Sequence, residues 1–271
     1  MNRTLLEKDS GTHKPLSSAY LLVSHGSRDP RPQAAVEQLA ELIRDRVAIE
    51  SAALVQNSVS RVAVLGNALQ PMVGTACLEL AEDPLHEQIR QFGDRAVAIG
   101  YKRLELLPLF LLPGVHVQED IPLQVAKAQQ TLGSKLTIEI QPHLGSHPGL
   151  GYLLANQLGD LGVDARILLS HGSRRAGGNK SVEAIAGTLG AIPAYWSVQP
   201  SLEARLLELV TSEHKKIEIV PYFLFSGGIT DAIARAVAQH RVQFPSASLH
   251  LADPIGASAE LAELIWDLRS K

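Results

Sequence analysis

Two histidines occur within the same pentapeptide, Ser-His-Gly-Ser-Arg, once at residues 24–28 and again at residues 170–174. His25 and His171 each follow a short apolar run of Leu, Val or Ile and precede a glycine, which permits a sharp backbone turn. A neutral imidazole binds divalent metal ions and accepts a proton near neutral pH. The repeat therefore favours metal or proton chemistry over the alternative, a histidine that only caps the local backbone.

The first half of the chain adds two groups that suit the same chemistry. Glu79 and His116 follow further apolar runs, and two imidazoles with one carboxylate suit borderline cations such as Fe²⁺, Co²⁺ or Ni²⁺. A solvated carboxylate and a histidine in a surface loop are the alternatives. Glu119 and Asp120 either serve this site or place negative charge at a helix N-terminus, and we favour the second interpretation.

The second half does not repeat the whole set. Aligning the flanking apolar residues of the two halves places Ile229 opposite His116 and Trp196 opposite Glu79, so that only His171 is kept. We therefore expect one active site, carried by the first half, and a degenerate second half.

The elements that position these residues alternate between strands and helices. The sequence predicts strands at 20–24, 76–80, 103–112 and 137–142, and again at 167–170, 194–197, 217–225 and 248–252. This alternation predicts an α/β protein with two similar doubly wound parallel sheets, whose strand carboxyl ends face each other across a cleft. The segment 49–72 is interpreted as an insertion, with strand and helix both open for residues 59–65.

Composition and clusters of Pro, Gly and Ser predict the domain organisation. Residues 1–16 are predicted to be a disordered lead-in, residues 17–146 an N-terminal domain with the catalytic residues, and residues 147–271 a C-terminal domain. The 271 residues, 45% of them hydrophobic, suffice for such cores. A net charge of −3 gives no basic excess, so no nucleic-acid partner is expected. One cysteine and the lack of an apolar run of about 18 residues predict a cytoplasmic protein outside the membrane.

Three stretches together resemble the sirohydrochlorin chelatases, the small class II enzymes that insert iron or cobalt into a reduced tetrapyrrole. They are LLVSHGSRDPRP at 21–32, CLELAEDPL at 77–85 and LPLFLLPGVHVQEDIP at 107–122. The resemblance implies a chelatase-like fold of two tandem flavodoxin-like domains, with one cleft that works without ATP. It also implies that the catalytic and metal-binding residues are His25, His116 and Glu79, with Fe²⁺ or Co²⁺ as substrate and no tightly bound cofactor. The missing counterparts at Ile229 and Trp196 depart from a symmetric two-site arrangement.

Sirohydrochlorin carries many carboxylates, which predicts cationic and backbone N–H partners near the two motifs. Arginine side chains suit carboxylates, although each of these arginines is equally well read as a solvated surface residue. The predicted substrate-binding residues are Arg28, Arg31, Arg174, Arg175, His171 and the backbone of Gly114, Val115, Ser226 and Gly227. His171 is either a relic of the duplication or a substrate contact.

The sequence leaves several alternatives open. A non-catalytic metal or tetrapyrrole carrier would use the same histidines without turnover, and a two-lobed sensor is a third, less favoured interpretation. Iron and cobalt are not distinguished, nor are the sirohaem and cobalamin pathways. Because the duplication supplies each half with a partner, we expect a monomer.

Overall fold

The computed structural model describes residues 18–57, 71–159 and 161–270 and contains two parallel four-stranded sheets. The first half consists of β1 (Ser18–Ser24), α1 (Pro30–Asn57), β2 (Val73–Cys77), α2 (Leu85–Ile99), β3 (Arg103–Pro108), α3 (Ile121–Leu132), β4 (Thr137–Ile140) and α4 (Leu150–Gln157). The second half consists of β5 (Ala165–Ser170), α5 (Lys180–Thr188), β6 (Ala191–Tyr195), α6 (Leu202–Thr211), β7 (Lys216–Pro221), α7 (Gly228–Gln243), β8 (Ser248–Leu251) and α8 (Ala259–Asp267). A π-helical turn, His116–Asp120, leads directly into α3.

The two sheets have the same topology. Their strand orders are β2-β1-β3-β4 and β6-β5-β7-β8, and all pairs are parallel. Leu22 pairs with Leu107 in the first sheet, and the corresponding Leu168 pairs with Val220 in the second. This order is that of a flavodoxin-like, doubly wound sheet, so the predicted fold class is confirmed.

Some predicted boundaries are wrong. Strand β2 ends at Cys77 rather than at residue 80, and β3 and β7 end at Pro108 and Pro221. Both prolines lack an N–H for the ladder of hydrogen bonds. The N–H groups of Leu109 and Tyr222 still donate to Val23 and Leu169 of the neighbouring strands, and the apolar residues after them leave the sheet.

Residues 49–57 are also not an insertion, because they complete α1, while residues 58–70 lie outside the described residues. The predicted boundary at 146/147 falls between the two sheets and stays a prediction, and residues 1–16 lie outside the described residues.

Among the described residues, three apolar cores lie between the layers of sheets and helices. One covers the outer face of the first sheet with α2 and α3, and another covers the outer face of the second sheet with α6 and α7. The third lies between the sheets, where side chains such as Leu22 and Val220 contact the layer formed by α1, α4, α5 and α8. Both faces of each parallel sheet are therefore buried, as such sheets require.

The halves exchange their last helices within this central layer. Helix α8, at the end of the second half, packs on α1 of the first half, and α4, at the end of the first half, packs on α5 of the second. Trp266 on α8 meets the ring of Tyr20 edge-on at 5.1 Å and donates from Nε1 to a Glu50 oxygen at 3.0 Å. This reciprocal packing fixes the two sheets relative to each other.

The described helices include none that is both long and apolar enough to cross a bilayer.

We expect Trp266→Ala to destabilise the whole chain by about 3–5 kcal/mol. The substitution leaves a cavity between the halves and removes the hydrogen bond to Glu50 on α1. Urea-induced unfolding followed by far-ultraviolet circular dichroism measures this loss. The matched control is Leu207→Ala on α6, whose side chain is exposed, and it should change the free energy of unfolding by less than about 0.5 kcal/mol. Equal effects of the two variants would contradict a joining role for α8.

Candidate active site

The first motif turns sharply at the carboxyl end of β1. His25 follows the last residue of the strand, and Gly26 adopts a left-handed backbone with φ of +99°. The N–H of Glu79 donates to the carbonyl of His25 at 2.9 Å, one step beyond the last paired residues of β1 and β2. The segment that carries Glu79 is therefore fastened to the motif by backbone hydrogen bonding.

His116 is presented by the π-helical turn after β3. The carbonyl of His116 accepts from the N–H of Ile121, five residues on, and Ile121 then begins α3 on the buried side. Turns of this kind are uncommon and recur at functional sites.

The three residues predicted to bind metal converge at one point. One ligating atom from each of His25, Glu79 and His116 lies within 4.8 Å of the others. His25 Nε2 is 3.9 Å from Glu79 Oε2, and the two imidazole rings meet edge-to-face with their centroids 4.9 Å apart. Two ligand atoms bound to one ion at about 2 Å are at most about 4 Å apart, so a small movement of the side chains lets one ion contact all three. Their roles as metal ligands and catalytic groups stay predictions.

The side chain of Asp120 contacts this cluster from behind. Its Oδ2 lies 2.7 Å from Nδ1 of His116, which leaves Nε2 as the ring nitrogen open to a metal ion or a proton. Within the described start of α3, the Asp120 side chain caps no backbone N–H. The preferred interpretation of Asp120 as a helix-terminal charge therefore missed its partner, although the spacing of four residues from His116 was a usable signal.

The cluster opens into an apolar cleft between the halves. Two adjoining cavities, of about 360 and 390 Å³, share the lining residues His25, Leu109, His171, Phe223 and Leu224. The first also contains His116 and residues 110–114, and the second contains residues 227–230. His171 therefore faces the same cleft as the first-half cluster, while its role stays a prediction.

The structure corrects the alignment of the two halves at Glu79. The N–H of Ser197 donates to the carbonyl of His171 at 2.9 Å, as the N–H of Glu79 does to that of His25. Ser197, not Trp196, is therefore the counterpart of Glu79, and Trp196 corresponds to Leu78. The alignment slipped because the connection from β2 to α2 is one residue longer than the connection from β6 to α6.

Arg31 links the halves beside the cleft. Its guanidinium donates to both carboxylate oxygens of Asp231 on α7, at 3.1 and 2.6 Å, and also to Asp29. These bonds lower the pKa of the Asp29 carboxyl to about 2 and also lower the pKa of Asp231. Both carboxylates are thus ionised well below neutral pH. A predicted role for Arg31 in binding substrate requires it to exchange these partners.

Arg175 makes a corresponding link on the other side. From the loop after the second motif it donates to Gln118 at 3.2 Å and to Glu119 at 3.0 Å, within the turn that carries His116. The second half thus holds the π-helical turn of the first half that carries His116. Exposed ion pairs of this kind contribute little to stability on their own, so their effect is chiefly on geometry.

The remaining predicted substrate contacts are mixed. Arg28 and Arg174 are exposed. The N–H of Gly114 donates to the carbonyl of Leu112, and that of Gly227 donates to Thr230 Oγ1. Both N–H groups are therefore paired within the chain, both glycines line the cleft, and their predicted roles in binding substrate stay predictions. The predicted roles of Val115, beside the π-helical turn, and of Ser226, before α7, stay predictions.

Comparisons with known proteins agree with this architecture. The family model described as CbiX matches twice, over residues 19–161 and 165–269. A protein named sirohydrochlorin ferrochelatase from Bacillus subtilis (strain 168) is 24% identical over 246 residues, which cover 86% of this chain and 84% of the relative. A sirohydrochlorin cobaltochelatase from Priestia megaterium is 24% identical over 210 residues, which cover 72% and 67%. The structure of SirB from Bacillus subtilis with Fe³⁺ superposes with a TM-score of 0.72 at 22% identity, covering 94% and 95% of the two chains.

We expect Gly26→Ala to destabilise the chain by more than about 1 kcal/mol and to move Glu79 away from His25. Its backbone is left-handed, and an added Cβ would overlap the carbonyl oxygen of Glu79. The control is Gly187→Ala on α5, where the added methyl meets open space, so it should be neutral or slightly stabilising. Urea unfolding and a crystal structure of each variant test this. An unmoved Glu79 in a stable Gly26→Ala protein would refute it.

Proposed function

This chain belongs to the CbiX family, and from that premise we propose that it inserts Fe²⁺ or Co²⁺ into sirohydrochlorin. The observation that supports the proposal most directly is the convergence of His25, Glu79 and His116 within 4.8 Å at the mouth of an apolar cleft. The names of the curated relatives, a ferrochelatase and a cobaltochelatase of sirohydrochlorin, supply the substrate and both metals.

The reaction needs proton acceptors beside the metal. Insertion breaks two pyrrole N–H bonds, forms bonds from the ring nitrogens to M²⁺ and releases two protons. His25 Nε2 and His116 Nε2 first bind the ion and then, as it moves to the ring nitrogens, regain lone pairs that accept these protons. Glu79 offsets the positive charge of the ion and relays a proton to solvent. No step needs ATP.

The cluster is suited to handing over an ion. It supplies three ligands, so positions on the metal stay open first to water and then to ring nitrogens. The side chains of His25 and Glu79 are 52% and 50% exposed, and that of His116 is 34% exposed. A closed, fully buried ligand set would bind too tightly to release its ion within a catalytic cycle.

The cleft is suited to holding one face of a macrocycle against the cluster. The ring of Phe110 lies 6.4 Å from that of His25 and 6.1 Å from that of His116, measured between centroids. Leu224 and Ile229 line the second half's side of the cleft. Apolar side chains contact the tetrapyrrole plane, and its carboxylates point to the rim, where Arg28, Arg31 and Arg174 lie close to the two motifs.

The activity is tested by mixing sirohydrochlorin with Co²⁺ or Fe²⁺, without ATP, and following the change in visible absorbance. We expect many turnovers per protein molecule. A rate equal to that without protein refutes the enzyme activity, and a single stoichiometric uptake of metal or tetrapyrrole indicates a carrier instead.

Light scattering in the same buffer tests the expectation that the chain acts as a monomer.

We expect His25→Ala and His116→Ala each to lower the insertion rate by at least about 100-fold, because each removes a metal ligand and a proton acceptor. His171→Ala is the matched control. It removes an exposed imidazole from the equivalent strand end and should cause a much smaller loss. Equal losses for all three variants would contradict the asymmetry between the halves.

Arg31→Ala and Asp231→Ala both break the same link between the halves, so comparing them isolates substrate contact. If Arg31 exchanges Asp231 for a substrate carboxylate, Arg31→Ala raises the KM for sirohydrochlorin about tenfold or more, as expected for losing a charged hydrogen bond. Asp231→Ala then leaves KM unchanged or lowers it, because Arg31 is released. Equal changes in KM would show that Arg31 only joins the halves.

A further inference from the structure

Among the described residues, Asp120 is the carboxylate that is hydrogen-bonded to a ring nitrogen of His116. Its Oδ2 lies 2.7 Å from Nδ1, a short distance for a hydrogen bond between an imidazole N–H and a carboxylate. We propose that Asp120 is a positioning residue. It holds the proton of neutral His116 on Nδ1 and fixes the ring so that the Nε2 lone pair faces the metal. This inference deepens the proposed function and rests on it.

The geometry of the turn supports this role. Phe110 and Phe223 are counterparts, because their carbonyls accept equivalent backbone hydrogen bonds, from Gly145 and Ile255. Further along, the buried pair Ile121 and Val125 matches Ile233 and Val237. The stretch from Phe110 to Ile121 is one residue longer than the matching stretch from Phe223 to Ile233. The π-helical turn lies within the longer stretch.

The extra residue leaves the buried face of α3 in register with that of α7. His116 and Asp120 stand four residues apart within the longer stretch.

The second half lacks both members of the pair. Counted back from Ile233, the positions of His116 and Asp120 are taken by Gly228 and Ala232, so the sequence alignment that placed Ile229 opposite His116 is one residue off. A carboxylate that serves only a helix N-terminus is expected in both halves. Helix α7 does have one, Asp231, in its first turn, but not at the position that matches Asp120. The joint absence of imidazole and carboxylate fits a carboxylate that acts through the imidazole.

The wider setting also holds the turn in place. Arg175 of the second half contacts Gln118 and Glu119, the two residues between His116 and Asp120 that face it. Of the two neighbouring carboxylates, Glu119 is thus paired with Arg175, and Asp120 is the one that contacts His116. Carboxylates placed behind a metal-binding imidazole commonly fix its tautomer and raise its basicity.

The first test needs neither metal nor substrate. Two-bond ¹H–¹⁵N correlation spectra of the metal-free full chain, at one pH where imidazoles are neutral, report which ring nitrogen carries the proton. We expect His116 to be protonated on Nδ1 in the wild type and to lose that preference in Asp120→Ala. The control Glu203→Ala, an exposed carboxylate in the first turn of α6, should leave the His116 signals unchanged.

A proton on Nε2 of His116 in the wild type, or the same tautomer in Asp120→Ala, would overturn the proposal. The ¹⁵N signals of His25 serve as an internal check that the variant is folded around the site. Because this readout does not depend on catalysis, it can succeed where the chelatase activity fails, and it separates the two proposals.

The second test measures Co²⁺ affinity by titration of its visible absorption. We expect Asp120→Ala to bind Co²⁺ about 10–100-fold more weakly than the wild type. Asp120→Asn keeps the size and one accepting oxygen, so it should fall between the two, and it covers the case in which the alanine variant does not fold. Unchanged Co²⁺ affinity in both variants would remove the positioning role.

Discussion

The reciprocal packing of the last helices is the constraint on which the cleft depends. Helix α8 belongs in sequence to the second half but packs on α1, while α4 packs on α5. Neither sheet can rotate against the other without exposing the apolar layer between them, which contains Trp266 and Leu150. The cluster of His25, Glu79 and His116 sits at strand ends of the first sheet, and the facing wall of the cleft comes from the second, so their separation is set by this buried layer.

On this rigid frame the first half is one residue longer than the second in two places. One is the connection from β2 to α2, which carries Glu79. The other is the stretch from Phe110 to Ile121, which carries His116 and corresponds to the stretch from Phe223 to Ile233. In both cases the strands before and the buried helix faces after stay in register. These differences in length are absorbed in the connections at the strand ends, so neither core is disturbed.

Much of this was predictable from sequence. The spacing of apolar residues and the positions of Gly and Pro predicted the alternating strands and helices. The repeated motif predicted two equivalent sheets. The meeting of His25, Glu79 and His116 followed from the rule that parallel strands bring their carboxyl ends to one edge. What could not be predicted depends on contacts between residues far apart in the chain. No local pattern shows that Arg31 meets Asp231, or that an amphipathic α8 covers α1 rather than its own sheet. The one-residue difference near Glu79 was hidden because the apolar residues of the helices align well on either side of it.

The exposed position of the cluster suits the transfer of an ion. A structural metal is commonly enclosed by four protein ligands, whereas a catalytic site keeps a position open. Here the three predicted ligands come from separate connections, and two of the side chains are about half exposed. The apolar surface beside them, including Phe110, offers the macrocycle a dry face on one side of the ion. In the proposed reaction the ion approaches from solvent and the tetrapyrrole from the cleft, and the proposed acceptors of the ring protons are the imidazoles that release the ion.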